Sequence, residues 1–176
     1  VAMNIQVSQQ LEVANTHLTQ GDFEQAAFLF QDIVHRSPTL VGARAGLSKA
    51  LLKLNRGEEA IEHLLKALEY SPEDADISYN LGVAYHQQGN YSSAIECYEN
   101  AHESDADSPD DLYYNLANAY HELERFYDAI RCYNKAIPSR PTDIDALKNL
   151  AIAYQRVDRN EEARACYKKL EKLRKN

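Results

Sequence analysis

Two stretches of similar sequence decide the fold of this chain: YNLGVAYHQQGNYSSAIECYENA at residues 79–101 and YNLANAYHELERFYDAIRCYNKA at residues 114–136. Both contain a Cys-Tyr dipeptide, which occurs once more near the C-terminus. The three cysteines of the chain are therefore spaced by 35 and 34 residues, at Cys97, Cys132 and Cys166. Thiols at such regular intervals could be metal ligands, a redox relay, or members of a unit that repeats for another reason.

Aligning the chain on these cysteines extends the similarity to five units, with residue 109 as the single insertion: 7–40, 41–74, 75–108, 110–143 and 144–176. Position 20 of every unit is alanine, and position 24 is a large apolar or aromatic residue. The latter are Phe30, Leu64, Tyr98, Tyr133 and Tyr167. Small and large residues that recur side by side predict elements that pack closely in the same way in each unit.

Within a unit, apolar residues recur with a period of about 3.6, first around positions 4 to 11 and again around positions 17 to 27. Turn-forming sequences such as QQGN and KLNRG separate the two runs. Sequences such as SPED and RPTD join successive units, where proline is expected at the first helical position beside a capping residue. Each unit is therefore predicted to be a hairpin of two helices, and the chain to be all-α.

The pattern resembles the tetratricopeptide repeat, a helical hairpin of 34 residues, over about 170 of the 176 residues. Periodicity predicts that the hairpins stack, because a single hairpin cannot bury its apolar face alone. The resemblance implies the rest of the architecture: a right-handed superhelical solenoid of antiparallel helix hairpins, with a concave face lined by the first helices. We expect residues 1–176 to form one such domain. Because the sequence does not begin with methionine, we also expect a fragment of a longer protein.

Composition excludes several functional classes. The net charge of −8 repels the phosphate backbone, so nucleic acid is not an expected partner. No segment has the roughly 20 apolar residues of a membrane span. Cysteines on successive hairpins would lie about 8–10 Å apart, too far to share a metal ion or form a disulfide. Three free thiols are typical of a reducing compartment such as the cytoplasm.

No pattern typical of catalysis is found. The acidic stretch DADSPDD at residues 105–111 offers aspartates, but it lacks the central glycine and distal glutamate of a calcium loop. No serine lies in a nucleophile motif, and no glycine-rich loop for phosphate is present. We therefore expect a protein that is not an enzyme and has neither metal nor cofactor.

Position 6 of the last three units is asparagine, at Asn80, Asn115 and Asn149. An amide both donates and accepts hydrogen bonds, which suits an extended peptide backbone. Similar asparagine ladders line the groove in the tetratricopeptide region of O-GlcNAc transferases, so the resemblance implies peptide contact here. The alternative is that these asparagines only bond to a neighbouring helix. The resemblance places five further residues beside the ladder: Tyr79, Tyr114, His86, His121 and Asn118.

The second unit has no asparagine at position 6. Gly42, Ala45 and Gly46 predict a shallow notch, and Lys49 and Lys53 follow on the same helix face. The two ammonium groups could receive an acidic side chain or a C-terminal carboxylate. The pattern does not match the two-carboxylate clamp of chaperone-binding family members.

The sequence therefore predicts a non-catalytic scaffold that binds a peptide segment of a partner protein in a concave groove. One alternative is that the units are the substrate-recruiting arm of a larger enzyme, such as a glycosyltransferase. Another is self-assembly into a homo-oligomer by end-to-end stacking, because the basic C-terminal helix complements the acidic body.

Overall fold

The computed structural model describes the backbone of residues 2–104 and 110–175, and the side chains of residues 6–102 and 111–175. Residues 105–109 lie outside the described backbone. They include most of the acidic stretch DADSPDD and the predicted insertion at residue 109. The described part of the chain contains ten α-helices and no strand. They are α1 (Ala2–Gln20), α2 (Phe23–Arg36), α3 (Val41–Lys53), α4 (Gly57–Tyr70), α5 (Ala75–Gln87), α6 (Tyr91–Ser104), α7 (Asp110–Glu122), α8 (Phe126–Ala136), α9 (Ile144–Arg156) and α10 (Asn160–Arg174).

The helices pack as consecutive hairpins that form a superhelical solenoid, so the prediction of fold class is confirmed. Each predicted unit corresponds to one odd-numbered and one even-numbered helix. Successive odd-numbered helices contact one another, whereas no such contact joins successive even-numbered helices in the described part of the chain. The stack therefore curves toward the odd-numbered helices, which form its concave face.

A left-handed residue ends the first helix of every hairpin. It occupies position 15 of each unit, at Gly21 (φ 86°), Asn55 (φ 60°), Gly89 (φ 72°), Glu124 (φ 57°) and Asp158 (φ 59°). The next amide donates back to a carbonyl five residues earlier, as from Asn90 to Tyr85 at 2.9 Å. This geometry satisfies the last carbonyls of a helix and reverses the chain. The repeated turn is therefore what produces the repeated hairpin.

Aspartates cap the first helices of two hairpins. The side chain of Asp74 accepts from the backbone N–H of Ile77 at 3.0 Å, and that of Asp143 accepts from Ala146 at 2.9 Å. The sequence predicts proline at the first helical position, but the first residues of these helices are Ala75 and Ile144. Pro72 and Pro141 lie two residues before the caps, in the turn that precedes each helix. In both hairpins the aspartate carboxylate defines where the first helix begins, because it bonds to a free backbone N–H and is attracted to the positive end of the helix dipole.

The core consists of two clusters that follow the repeat. One is built mainly on α2, α3 and α4, the other on α6 to α9, and the side chains of Val83 and Tyr85 on α5 contact both. Glycines allow the large residues of position 24 to approach the first helices. A Cβ atom at Gly46 would lie 2.4 Å from the ring of Phe30, and one at Gly82 would lie 2.5 Å from that of Tyr98.

The predicted notch in the second unit is therefore only partly present. The space beside Gly46 is filled by Phe30, because the absence of a side chain admits the ring from α2. The space beside Gly42 is open, with no atom within 4 Å of a Cβ built there. As for membranes, none of the helices in the described ranges is both long and apolar enough to span one.

Candidate functional site

A cavity of about 400 Å³ opens on the concave side of the solenoid. Four odd-numbered helices and the start of α2 contribute to it. Its lining consists of Leu18, Phe23, Lys49, Leu52, Lys53, Tyr79, Asn80, Val83, Gln87 and Asn115. We call it the groove. Five of the ten residues predicted from the sequence line it: Lys49, Lys53, Tyr79, Asn80 and Asn115.

Lysines supply all the charge among the described residues of the groove. Lys49 and Lys53 are one helical turn apart on α3, so they face the same way. The Nζ atom of Lys49 is 3.9 Å from a carboxylate oxygen of Asp76, whose side chain is 80% exposed. Lys53 is exposed and has no carboxylate within ion-pair distance in the described part of the chain. The groove is therefore locally positive in a chain whose net charge is −8.

The asparagines of the groove bond to the scaffold with one end of the amide. The Nδ2 of Asn80 donates to the backbone oxygen of Asp76 at 2.6 Å. The Nδ2 of Asn115 donates to the hydroxyl oxygen of Tyr79 at 2.9 Å, which joins α7 to α5. Burial raises the pKa of the Tyr79 hydroxyl. These bonds fix both amide planes and leave each Oδ1 as the group available for a further hydrogen bond.

Three other residues predicted to bind a partner, Asn118, Asn149 and Tyr114, lie outside this groove. Asn118 accepts two hydrogen bonds through Oδ1, from the Tyr133 hydroxyl at 2.6 Å and from Asn149 at 3.4 Å. Tyr114 packs edge to face against Tyr133, with the guanidinium of Arg140 over its ring at 4.9 Å. These contacts join α7, α8 and α9 and are compatible with the alternative in which asparagines connect neighbouring helices.

The two predicted histidines pack inside their own hairpins rather than along the groove. The ring of His86 lies 5.1 Å from that of Tyr91, and the ring of His121 lies 5.5 Å from that of Phe126. Each has a buried Nε2 atom with no hydrogen-bond partner among the described residues. Burial lowers the pKa of both imidazoles, and the nearby carboxylate of Glu122 opposes that shift. Both histidines are thus held toward the neutral form.

Sequence reasoning missed the apolar part of the groove. Leu18, Leu52 and Val83 occupy positions 9 and 12 of their units, which the family resemblance assigns to the concave side. A search for polar and aromatic side chains does not find these three residues, but their positions in the unit identify them. Phe23 and Gln87 were also missed. The Nε2 of Gln87 donates to the backbone oxygen of Leu52 at 3.2 Å, which ties α5 to α3.

The cysteines are not part of the groove. All three are free, and they lie on the second helices, away from the groove. Burial raises the pKa of Cys97 and of Cys132 to about 11, and it also raises that of Cys166. A thiol held in the protonated form is a weak nucleophile and a weak metal ligand. Their regular spacing therefore reflects the hairpin repeat.

Comparison with known proteins gives the same architecture. The crystal structure of MamA has a TM-score of 0.80 at 25% identity and covers 93% of this chain and 95% of that one. The structure of MamA AMB-1 has a TM-score of 0.83 at 24% identity, with 96% and 99% covered. A comparison with curated protein sequences gave no match.

Family models account for most of the sequence. Models of the tetratricopeptide repeat match residues 17–66, 73–142 and 109–176, and a TPR repeat model matches residues 49–89. A single one of these models covers more than half of the chain through its two overlapping matches. The stacked hairpins provide a scaffold for protein interaction, and the chain belongs to the tetratricopeptide repeat family.

Proposed function

We propose that this scaffold binds an extended peptide segment of a partner protein in the groove. We propose further that it does so without catalysis and as a single solenoid over residues 1–176. The observation that carries the proposal is the convergence of Lys49, Lys53, Tyr79, Asn80 and Asn115 on one concave cavity of about 400 Å³. Ligand sites are concave, largely apolar, and have a few polar groups in fixed positions.

The hydrogen bonds of the groove support an extended occupant. Asn80 and Asn115 are held by Asp76 and Tyr79, so their free Oδ1 atoms have lost rotational freedom before a ligand arrives. An acceptor fixed in this way can take a backbone N–H at a small entropic cost. Two such acceptors on neighbouring helices suit a backbone that crosses from one hairpin to the next.

Cross-linking tests the location of the site. A photoreactive phenylalanine analogue at Val83, in the groove, is compared with the same analogue at Phe28 on the outer helix α2, where the native ring is 69% exposed. Short peptides selected from a random display library are the probes. We expect cross-links from position 83 and none from position 28. Cross-links only from position 28, or selection of no peptide, would contradict the proposal.

Alanine substitution tests the ladder itself. The variant Asn80→Ala, Asn115→Ala, Asn149→Ala should bind the selected peptides more weakly, by about tenfold if two hydrogen bonds are lost. Circular dichroism would verify that the variant is folded. Unchanged affinity with cross-links still at position 83 would show that the asparagines serve the scaffold and that other groove residues bind the peptide.

Two alternatives to a stand-alone peptide-binding scaffold would use the same solenoid. A recruiting arm of a larger enzyme would present the same groove, so the cross-linking result applies to it equally. For self-assembly, sedimentation velocity over a wide range of concentrations is the test, and a strict monomer would exclude it. The three free thiols support a reducing compartment, and we propose the cytoplasm.

A further inference from the structure

We infer that the groove selects an internal peptide segment in which an acidic side chain lies close to a bulky apolar one, and that Lys53 and Lys49 recognise the acid. This inference rests on the proposed function and specifies the chemistry of its partner. It draws on three separate observations: the charge of the groove, the position of the apolar lining, and the order of these features along the stack.

The charge of the groove is opposite to that of the chain. There are 27 acidic and 19 basic residues in the sequence, yet the charged side chains in the groove lining are both lysine. The contact of Lys49 with Asp76 is long, at 3.9 Å, and largely exposed to solvent. A weak, solvated pair of this kind is easily exchanged for a partner's carboxylate. Lys53 has no ion pair to give up, because no carboxylate among the described residues lies within ion-pair distance of it.

Apolar side chains lie next to the lysines on the N-terminal side. Leu18 and Phe23 flank the turn between α1 and α2, and Leu52 follows on α3. Phe23 and Leu18 are half-buried, so part of each is in contact with water when the groove is empty. A bulky apolar side chain seated there would remove that surface from water. The acid and the apolar residue of the partner should therefore be close in sequence.

The order of features along the stack indicates an internal segment. Leu18 and Phe23 come from α1 and α2, the lysines from α3, and the amides from α5 and α7. Leu52 on α3 and Val83 on α5 add apolar surface along the groove. The positive charge is thus in the middle of the groove, with contacts available on both sides. A peptide that uses both sides continues in both directions from its acidic residue. Recognition of a side-chain carboxylate follows, rather than of the carboxylate at a chain terminus.

Two matched peptide libraries test this selectivity, each acetylated and amidated so that neither end is charged. One has a fixed glutamate and a fixed leucine two residues later, and the other has glutamine in place of glutamate. We expect the chain to bind the glutamate library about fivefold more tightly at low salt, as for a partly exposed ion pair. The preference should shrink as salt is added.

Three variants determine which residues cause the preference. Lys53→Gln should remove most of it, by bringing the affinity for the glutamate library close to that for the glutamine library. Asp76→Asn frees Lys49 and should increase the preference about twofold, a gain that loss of structure would not produce. Lys66→Gln on α4 is the control, because it removes the same charge outside the groove, where Lys66 pairs with Glu62 at 2.7 Å.

The outcomes separate this inference from the proposed function. Equal binding of the two libraries, with cross-links at position 83, would overturn the selectivity and leave peptide binding in place. Equal loss of preference in Lys53→Gln and Lys66→Gln would show that overall charge, and not the groove, is responsible, and would also overturn it. No cross-link at position 83 with either library would overturn both. Tighter binding of a free C-terminal carboxylate than of the amidated glutamate peptides would contradict the internal segment.

Discussion

The two halves of the solenoid have the same hairpin geometry but different core chemistry. In the N-terminal half, from α1 to α4, position 24 is occupied by Phe30 and Leu64, which have no polar atom in the side chain. In the C-terminal half, from α6 to α10, the same position is tyrosine, and its hydroxyl can join a hydrogen bond. The Tyr133 hydroxyl thus bonds to Asn118, and the Tyr167 hydroxyl bonds to Gln155 at 3.0 Å.

This difference shows that one backbone repeat can be specified in two ways. The N-terminal half depends on shape, as where Phe30 fills the space that Gly46 leaves. The C-terminal half adds side-chain hydrogen bonds between the two helices of a hairpin, from α8 to α7 and from α10 to α9. The groove lies where the two halves meet, so it takes its lysines from α3 and its amides from α5 and α7.

The largest effect is expected from Phe30→Ala in the N-terminal core. The Phe30 side chain is fully buried between α2 and α3, and its removal should lower the free energy of unfolding by about 3–5 kcal/mol. Phe28→Ala is the matched control on the same helix, because that ring is 69% exposed. Denaturant unfolding measures both. Similar losses in the two variants would contradict the view that this half depends on close packing.

Gly46→Ala tests the same contact from the other side. The added methyl group would meet the Phe30 ring at 2.4 Å, so we expect a loss of about 1–3 kcal/mol in the free energy of unfolding. Gly42→Ala, on the same helix with open space around it, should be neutral or slightly stabilising. In a Phe30→Ala background, Gly46→Ala should no longer be destabilising, which a double-mutant cycle would measure.

These contacts also show how far the sequence determines the structure in advance. Repeat spacing is enough to predict ten helices and their pairing, because the pattern recurs in five units. The concave side follows from the resemblance to the tetratricopeptide repeat. It cannot predict that Phe30 enters the space beside Gly46, because that contact joins different hairpins. The groove was predicted in part: Lys53 and Asn80 follow from position in the unit. That His86 packs on Tyr91 instead depends on side-chain rotation, which the spacing does not determine.

Tyr133→Phe tests the hydrogen bonds of the C-terminal half. It removes the 2.6 Å bond to Asn118 and leaves the ring in place, so a loss of about 1 kcal/mol is expected. Tyr127→Phe is the control in the same helix, since Tyr127 is 72% exposed. Thermal or denaturant unfolding gives the difference. If both variants were as stable as the parent chain, the hydroxyl network would contribute nothing and the two halves would be equivalent.

The smallest effect concerns position 12, which is leucine at Leu18 and Leu52 but histidine at His86 and His121. Burial lowers the pKa of both histidines below the ordinary value of 6.5, so near that pH the unfolded state binds more protons than the folded state. The free energy of unfolding should therefore be highest above about pH 6.5 and fall as the pH drops through the folded-state pKa values.

The variant His121→Leu gives the C-terminal half the residue of the N-terminal half and removes a buried Nε2 that has no described partner. It should be at least as stable as the parent near neutral pH, and its stability should fall less between about pH 7 and about pH 5. The same substitution at the exposed His35 on α2 is the control for replacing a histidine outside the core. Unfolding midpoints at several pH values measure the slopes. Parallel curves for the parent chain and His121→Leu would show that protonation of this imidazole does not oppose folding, and the two halves would then share one pH dependence.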